Sequence, residues 1–116
     1  MAIRKSRKSP LFVTTIIVAE ILFGIELLPR GKRRDQMVAQ AEAAFAEDFA
    51  GQVLPFDEDA ARAFPEIAVR RRAQGRPIAD LDAQIAAIAH SRHAILATRN
   101  TGDFEDCGLR LVNPWL

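Results

Sequence analysis

The stretch DAQIAAIAHSRHAILATRNTGDF, residues 82–104, decides the fold. It sets Asp82 at the start of a short apolar helix, with Leu81, Ile85 and Ile88 on one face at i, i+4 and i+7. An apolar strand follows at 94–98, then a polar loop ending on Asp103 and Phe104. A carboxylate before a helix and another after the next strand can meet at one edge of a parallel sheet. Open α/β sheets hold their active sites at that edge. Upstream, Glu20 stands alone in the apolar run IIVAEILFGI and supplies a third acid. A carboxylate in such surroundings is costly to bury without a partner. A divalent cation or an arginine can be that partner; otherwise Glu20 lies on a thin exposed stripe.

Outward from this stretch the pattern alternates strands with helices, which argues for a parallel sheet. Residues 11–14 read as a strand with Phe12 and Val13 in the core. Thr15 can cap the next helix, which runs to about residue 28 and stops at Pro29 and Gly31. Apolar residues surround that helix, so it should be largely buried. Residues 32–49 form a second helix with Met37, Ala41, Ala44, Phe45 and Phe49 on one stripe, ended by Gly51. A short strand at 52–56 precedes a helix capped by Asp57 that carries Ala60, Phe64, Ile67 and Ala68. Pro65 inside it clashes with the carbonyl of Ala61, a cost of about 3 kcal/mol unless the helix breaks or kinks. The helix at 80–90 takes Asp80 as its N-cap, strands follow at 95–98 and 109–112, and Pro114 and Trp115 close the chain. Residues 1–10, MAIRKSRKSP, are basic without apolar periodicity and read as a disordered tail.

At 116 residues and 49% hydrophobic content, this is one small domain with enough apolar material for a core. Sixteen basic residues against fifteen acidic ones leave no global field for nucleic acid. The basic residues do cluster: Arg4, Lys5, Arg7 and Lys8; Arg30, Lys32, Arg33 and Arg34; Arg70, Arg71 and Arg72. Each cluster suits either a phosphate backbone or a solvated helix end. Cys107 is alone, so there is neither a disulfide framework nor a zinc motif, and a reducing cytoplasm fits. The basic start followed by an apolar run imitates a signal peptide, but Glu20 interrupts it and it is too short to span a bilayer. No membrane is expected. The chain lacks a glycine-rich loop, which counts against nucleotide binding. His90 and His93, at a helix end and in the turn after it, read as partners of the helix dipole.

Five segments in order resemble the PIN-domain ribonucleases, and most closely the VapC/FitB-type toxins of toxin–antitoxin pairs. They are FVTTIIVAEILFGIELLPRGKRR, QVLPFDEDAA, GRPIADLDAQIAAIA, LATRNTGDF and LRLVNPW, together spanning residues 12–115. The resemblance implies a PIN-like three-layer α/β fold with a parallel sheet. It implies a metal-dependent endoribonuclease with RNA as substrate, a cognate antitoxin as partner and a homodimer as working unit. It matches Glu20, Asp82 and Asp103 to metal ligands; carboxylate oxygens suit Mg²⁺ or Mn²⁺. D-A-Q-I-A-A aligns on Asp82 rather than Asp80, and T-x-D/N-x-x-D-F puts Asn100 beside Asp103, with the Thr98 hydroxyl in the same pocket.

One piece of the family pattern has no counterpart. Such proteins open with an apolar strand ending in an aspartate, V-x-D-T-N/S, whereas this chain opens MAIRKSRKSP. The expectation is therefore a truncated PIN-like domain at 11–116, without its central first strand and first metal-site aspartate, and impaired as an enzyme. The alternative is a non-catalytic remnant that serves only for antitoxin binding and dimerisation. A third, weaker reading is an unrelated doubly wound binding domain. The missing strand would lie between the strands at 11–14 and 94–98, and only residues 1–10 are at hand to fill its slot.

Overall fold

The computed structural model describes residues 1–6 and 10–113. Arg7 and Lys8 of the first basic cluster, and Pro114 and Trp115, lie outside these. Two short parallel pairs make the frame. Strand β2 (Val13–Thr14) pairs with β3 (Val53–Leu54), and β4 (Ile95–Ala97) pairs with β5 (Arg110–Val112). Between them runs β1 (Ala2–Arg4), antiparallel to β4 with Ile3 opposite Leu96. On its other edge Ile3 exchanges two 2.8 Å backbone hydrogen bonds with Phe12.

This corrects two expectations. The first residues are not a tail throughout, because Ala2–Arg4 fills the slot between the two parallel pairs. The sheet is accordingly mixed rather than parallel. Ile3 explains the insertion: it is 1% exposed, both its backbone groups bond Phe12, and its neighbours Ala2 and Arg4 stand opposite Ala97 and Ile95 on β4. A buried slot lined by unpaired amides would cost about 1–3 kcal/mol per group, so even three residues of strand are favoured there over solvent.

The helices are α1 (Thr15–Glu26), α2 (Lys32–Ala43), α3 (Glu58–Ala73) and α4 (Asp80–Ser91). Thr14, not Thr15, caps α1: its hydroxyl accepts from the Ile17 amide at 3.1 Å. Asp57 caps α3 as expected, accepting from Ala60 at 3.0 Å. Ala79 rather than Asp80 is the cap residue of α4, so both Asp80 and Asp82 lie within its first turn. After α2 the chain widens into a single π-type turn, Ala44–Asp48, and Gly51 follows with a left-handed φ of 69°. Helix α3 runs through Pro65 unbroken. Pro65 and Ala61 are both exposed, so water can take the carbonyl that the proline leaves unbonded.

Helix α4 is the centre of the core. Ala83, Ile85, Ala86, Ala87, Ile88 and Ala89 are all buried, and its alanines let α3 pack close against it. Around it gather Ile3, Ala60, Ile67, Leu96 and Phe104. Helix α1 is less buried than its composition suggests. Only Ile25 is buried, while Phe23 is 66% and Leu27 70% exposed. Among the described residues no helix is long and apolar enough to cross a membrane.

Candidate acidic site

The site is built from two elements that meet beyond the ends of β4 and β5. The first is the N-terminal turn of α4, which presents Asp82, half-buried. The second is the loop after β4. Thr98 continues the ladder, its amide donating to Val112 at 3.0 Å. Its hydroxyl accepts from the Asn100 amide at 3.1 Å, which turns the chain into a 3₁₀ turn, Thr101–Phe104. Phe104, 1% exposed, anchors that turn in the core, and Asp103 beside it is held out to solvent.

The pair is electrostatically uncomfortable. Burial pushes the Asp82 carboxyl above the usual aspartate value; the Asp103 charge pushes it further, and the Arg71 guanidinium pulls it back down. Two carboxylates close enough to repel make a place where a cation is favoured.

Arg71 supports the loop that carries Asp103, and the sequence reading did not single it out. It is 5% exposed and bridges three backbone carbonyls. Its Nε donates to Arg76 at 2.7 Å, and its Nη1 donates to Asp103 at 2.7 Å and Glu105 at 3.1 Å. The loop bearing Asp103 is thus tied to α3 by a buried guanidinium. Arg76 adds a second tie from outside, donating to the Gly102 carbonyl and pairing with Glu105, both at 3.1 Å. A signal was present: Arg71 lies on the apolar stripe of α3, in phase with Ala60, Phe64 and Ile67. In the run Arg70-Arg71-Arg72 both readings of the cluster, a phosphate contact or a solvated helix end, place its cations outside the core, and Arg71 is buried.

The structure brings together Asp82 and Asp103, with Asn100 on the same loop. Glu20 lies on an exposed stripe of α1, one of the alternatives its apolar surroundings left open, with Ile21 and Phe23 exposed nearby. Among the described residues no group of three or more histidine, cysteine, aspartate or glutamate side chains is arranged to hold a metal ion. The donor set that the geometry offers is therefore a carboxylate pair. It fits a hard cation that keeps several of its own waters, as Mg²⁺ does, and does not by itself form a closed cage. Cys107 is buried; burial pushes its thiol up in pKa, and its Sγ lies 3.6 Å from Arg71, as suits a packing residue.

A small α/β domain with a carboxylate pair beyond the ends of its parallel strands is the class that fold and site define. Comparison with known proteins narrows it. The family model described as "PIN domain" matches residues 1–108. The chain is 43% identical over 105 residues to the plasmid stability protein StbB of Pseudomonas syringae pv. tomato, covering 90% of this chain and 76% of that protein. It is 39% identical to the VapC ribonuclease Y4jK of Sinorhizobium fredii, covering 90% and 75%. Among solved structures it resembles FitAcB from Neisseria gonorrhoeae, with a TM-score of 0.83 and 36% identity over 90% of this chain and 75% of that one. It also resembles VapBC-5 from Mycobacterium tuberculosis, a member of the VapBC family of toxin–antitoxin systems, with a TM-score of 0.73 and 25% identity over 88% and 80%. The chain belongs to the PIN-domain family, in its branch of VapC/FitB-type toxins.

Proposed function

We propose that this chain is the toxin-type ribonuclease of a toxin–antitoxin pair, cleaving RNA phosphodiester bonds with Mg²⁺ or Mn²⁺, and that its 116 residues act weakly. The observation that carries this is the Asp82–Asp103 pair, held by α4 and by the loop that Arg71 fixes. In this reading Asp82 and Asp103 hold the cation, with Glu20 as the third acid. Asn100 orients a phosphate oxygen without adding charge, and Thr98 keeps Asn100 in place through the 3.1 Å bond to its amide. The ion's part, when bound, is to acidify water and to balance the charge that grows at phosphorus. Weakness follows from the donor count: among the described residues no third acid is grouped with Asp82 and Asp103, which offers less charge than a full acidic cluster.

The partner in this reading is an antitoxin. Ile21 and Phe23 of α1 and Leu27 at its C-terminal cap are 42%, 66% and 70% exposed, and together they form an apolar surface of the kind that marks an interaction site. An apolar antitoxin segment would cover it, with the working unit a homodimer.

The lack of a three-acid group among the described residues favours one second reading, a module that binds antitoxin and dimerises without catalysis. RNA cleavage in Mg²⁺ and in Mn²⁺, run beside Asp82→Ala, separates the two. Slow cleavage lost in the variant supports the weak enzyme. Absence of cleavage, with the chain still capturing its antitoxin, supports the module. Fast turnover lost in the variant would overturn the claim of weakness.

A further inference from the structure

A second polar cavity lies at the other end of α4, apart from the acidic pair. It has a volume of about 210 Å³ and is lined by His90, His93, Ala94, Gly108, Leu109 and Arg110. Among the described residues no carboxylate lines it. A second guanidinium, that of Arg70, reaches it over Gly108. A β-carbon at that glycine would lie 3.2 and 3.3 Å from His90 Cδ2 and Nε2 and 3.4 Å from Arg70 Nη1. The imidazole and the guanidinium therefore converge on one point, against a backbone that only glycine, at φ 73°, leaves bare. Neither Arg70 nor Arg110 joins an ion pair among the described residues.

The helix dipole accounts for part of this. The C-terminal end of α4 carries a partial negative charge that favours a cation in its last turn, which is where His90 stands. It does not account for the rest, since Arg70 comes from α3 and Arg110 from β5. His93 is the most telling. It is the left-handed residue that closes α4, at φ 51°. Its amide bonds the His90 carbonyl at 3.1 Å, and the next amide bonds Ala89 at 3.1 Å. Glycine favours that position. The chain instead spends it on an imidazole that lines the cavity.

We propose that this cavity binds a phosphate group, with His90, His93, Arg70 and Arg110 as its donors. The chemistry selects the ligand. Four nitrogen-bearing side chains suit a multiply charged oxyanion; the acid near them in sequence, Asp106, is paired with Arg76. A volume of 210 Å³ is below the roughly 300 Å³ at which drug-sized pockets begin, and suits a phosphate or pyrophosphate. The site is independent of the acidic pair and of the activity proposed for it.

The test follows the imidazole resonances of His90 and His93 by NMR. Inorganic phosphate, pyrophosphate, and a dinucleotide with or without a 5′-phosphate are added at constant ionic strength. Saturable shifts are expected, with Arg110→Gln and His93→Gly each weakening binding by roughly tenfold, while Arg33→Gln on α2 leaves it unchanged. His93→Gly is also expected to melt no lower than the parent, so its loss of binding is not a loss of fold. Tighter binding of the 5′-phosphorylated dinucleotide assigns a phosphate monoester, and equal binding assigns a backbone phosphate. Shifts that rise linearly without saturating, or equal affinity in parent and His93→Gly, would overturn the proposal.

Discussion

Replacing Arg71 by methionine keeps most of the volume and removes the guanidinium. Three carbonyls, those of Arg76, Asp103 and Glu105, then lose a donor at 2.7, 2.7 and 3.1 Å. A hydrogen bond to a charged group contributes about 1.5–3 kcal/mol, so the upper bound for three is several kcal/mol. These carbonyls belong to exposed residues and recover part of that from water. The expected net loss is about 2–4 kcal/mol, against a total near 5–15 kcal/mol for such a domain. The loss is also local. With Arg76 alone tying the loop from outside, amides between residues 101 and 106 should exchange faster than those of α4. Urea unfolding gives the global figure, and hydrogen exchange gives the local one. Arg71→Lys, which keeps the charge but cannot bridge three carbonyls, should fall between. A loss below about 1 kcal/mol together with unchanged exchange in the loop would refute the reasoning.

Ile3→Ala should cost about 2–5 kcal/mol, the range for a fully buried aliphatic side chain, because Ile3 is 1% exposed between β4 and Phe12; a surface-like loss under about 0.5 kcal/mol in urea unfolding would mean that β1 is not held in the sheet. The raised Asp82 pKa fixes the sign of a pH effect. The folded carboxyl binds its proton more tightly than the unfolded one, so its stabilising effect is present at low pH and lost as pH rises from 3.8 through the folded value. Asp82→Asn should therefore gain stability relative to the parent across that window, read by urea unfolding at a series of pH values, and a constant difference would contradict it.

Much of the fold was legible because periodicity reports burial. Asp57, Ile85 and Ile88 and the order of strands and helices follow from spacing and capping alone. Asp82 and Asp103 came from the family resemblance, which aligns D-A-Q-I-A-A on Asp82 rather than Asp80; spacing alone gives no preference, since both aspartates lie in the first turn of α4. What was not legible depended on long-range pairing. Ala2–Arg4 has no strand signal of its own, and its place is set by partners at Phe12 and Leu96. Helix α1 is apolar all round, which fits burial in its own core and burial by a partner equally well. Arg71 was hidden by its neighbours, two cations that do face water.

The reversed strand has a consequence for the order in which the sheet assembles. Ala2 pairs with Ala97, and most of the described chain lies between them. Ile3 can find Phe12 early, because few residues separate them. The pairing with β4 closes a far longer loop, which slows folding. Until that contact forms, β4 keeps an open edge of unpaired backbone groups, and such an edge is a template for another strand. A holdase or a partner peptide can occupy it before β1 does.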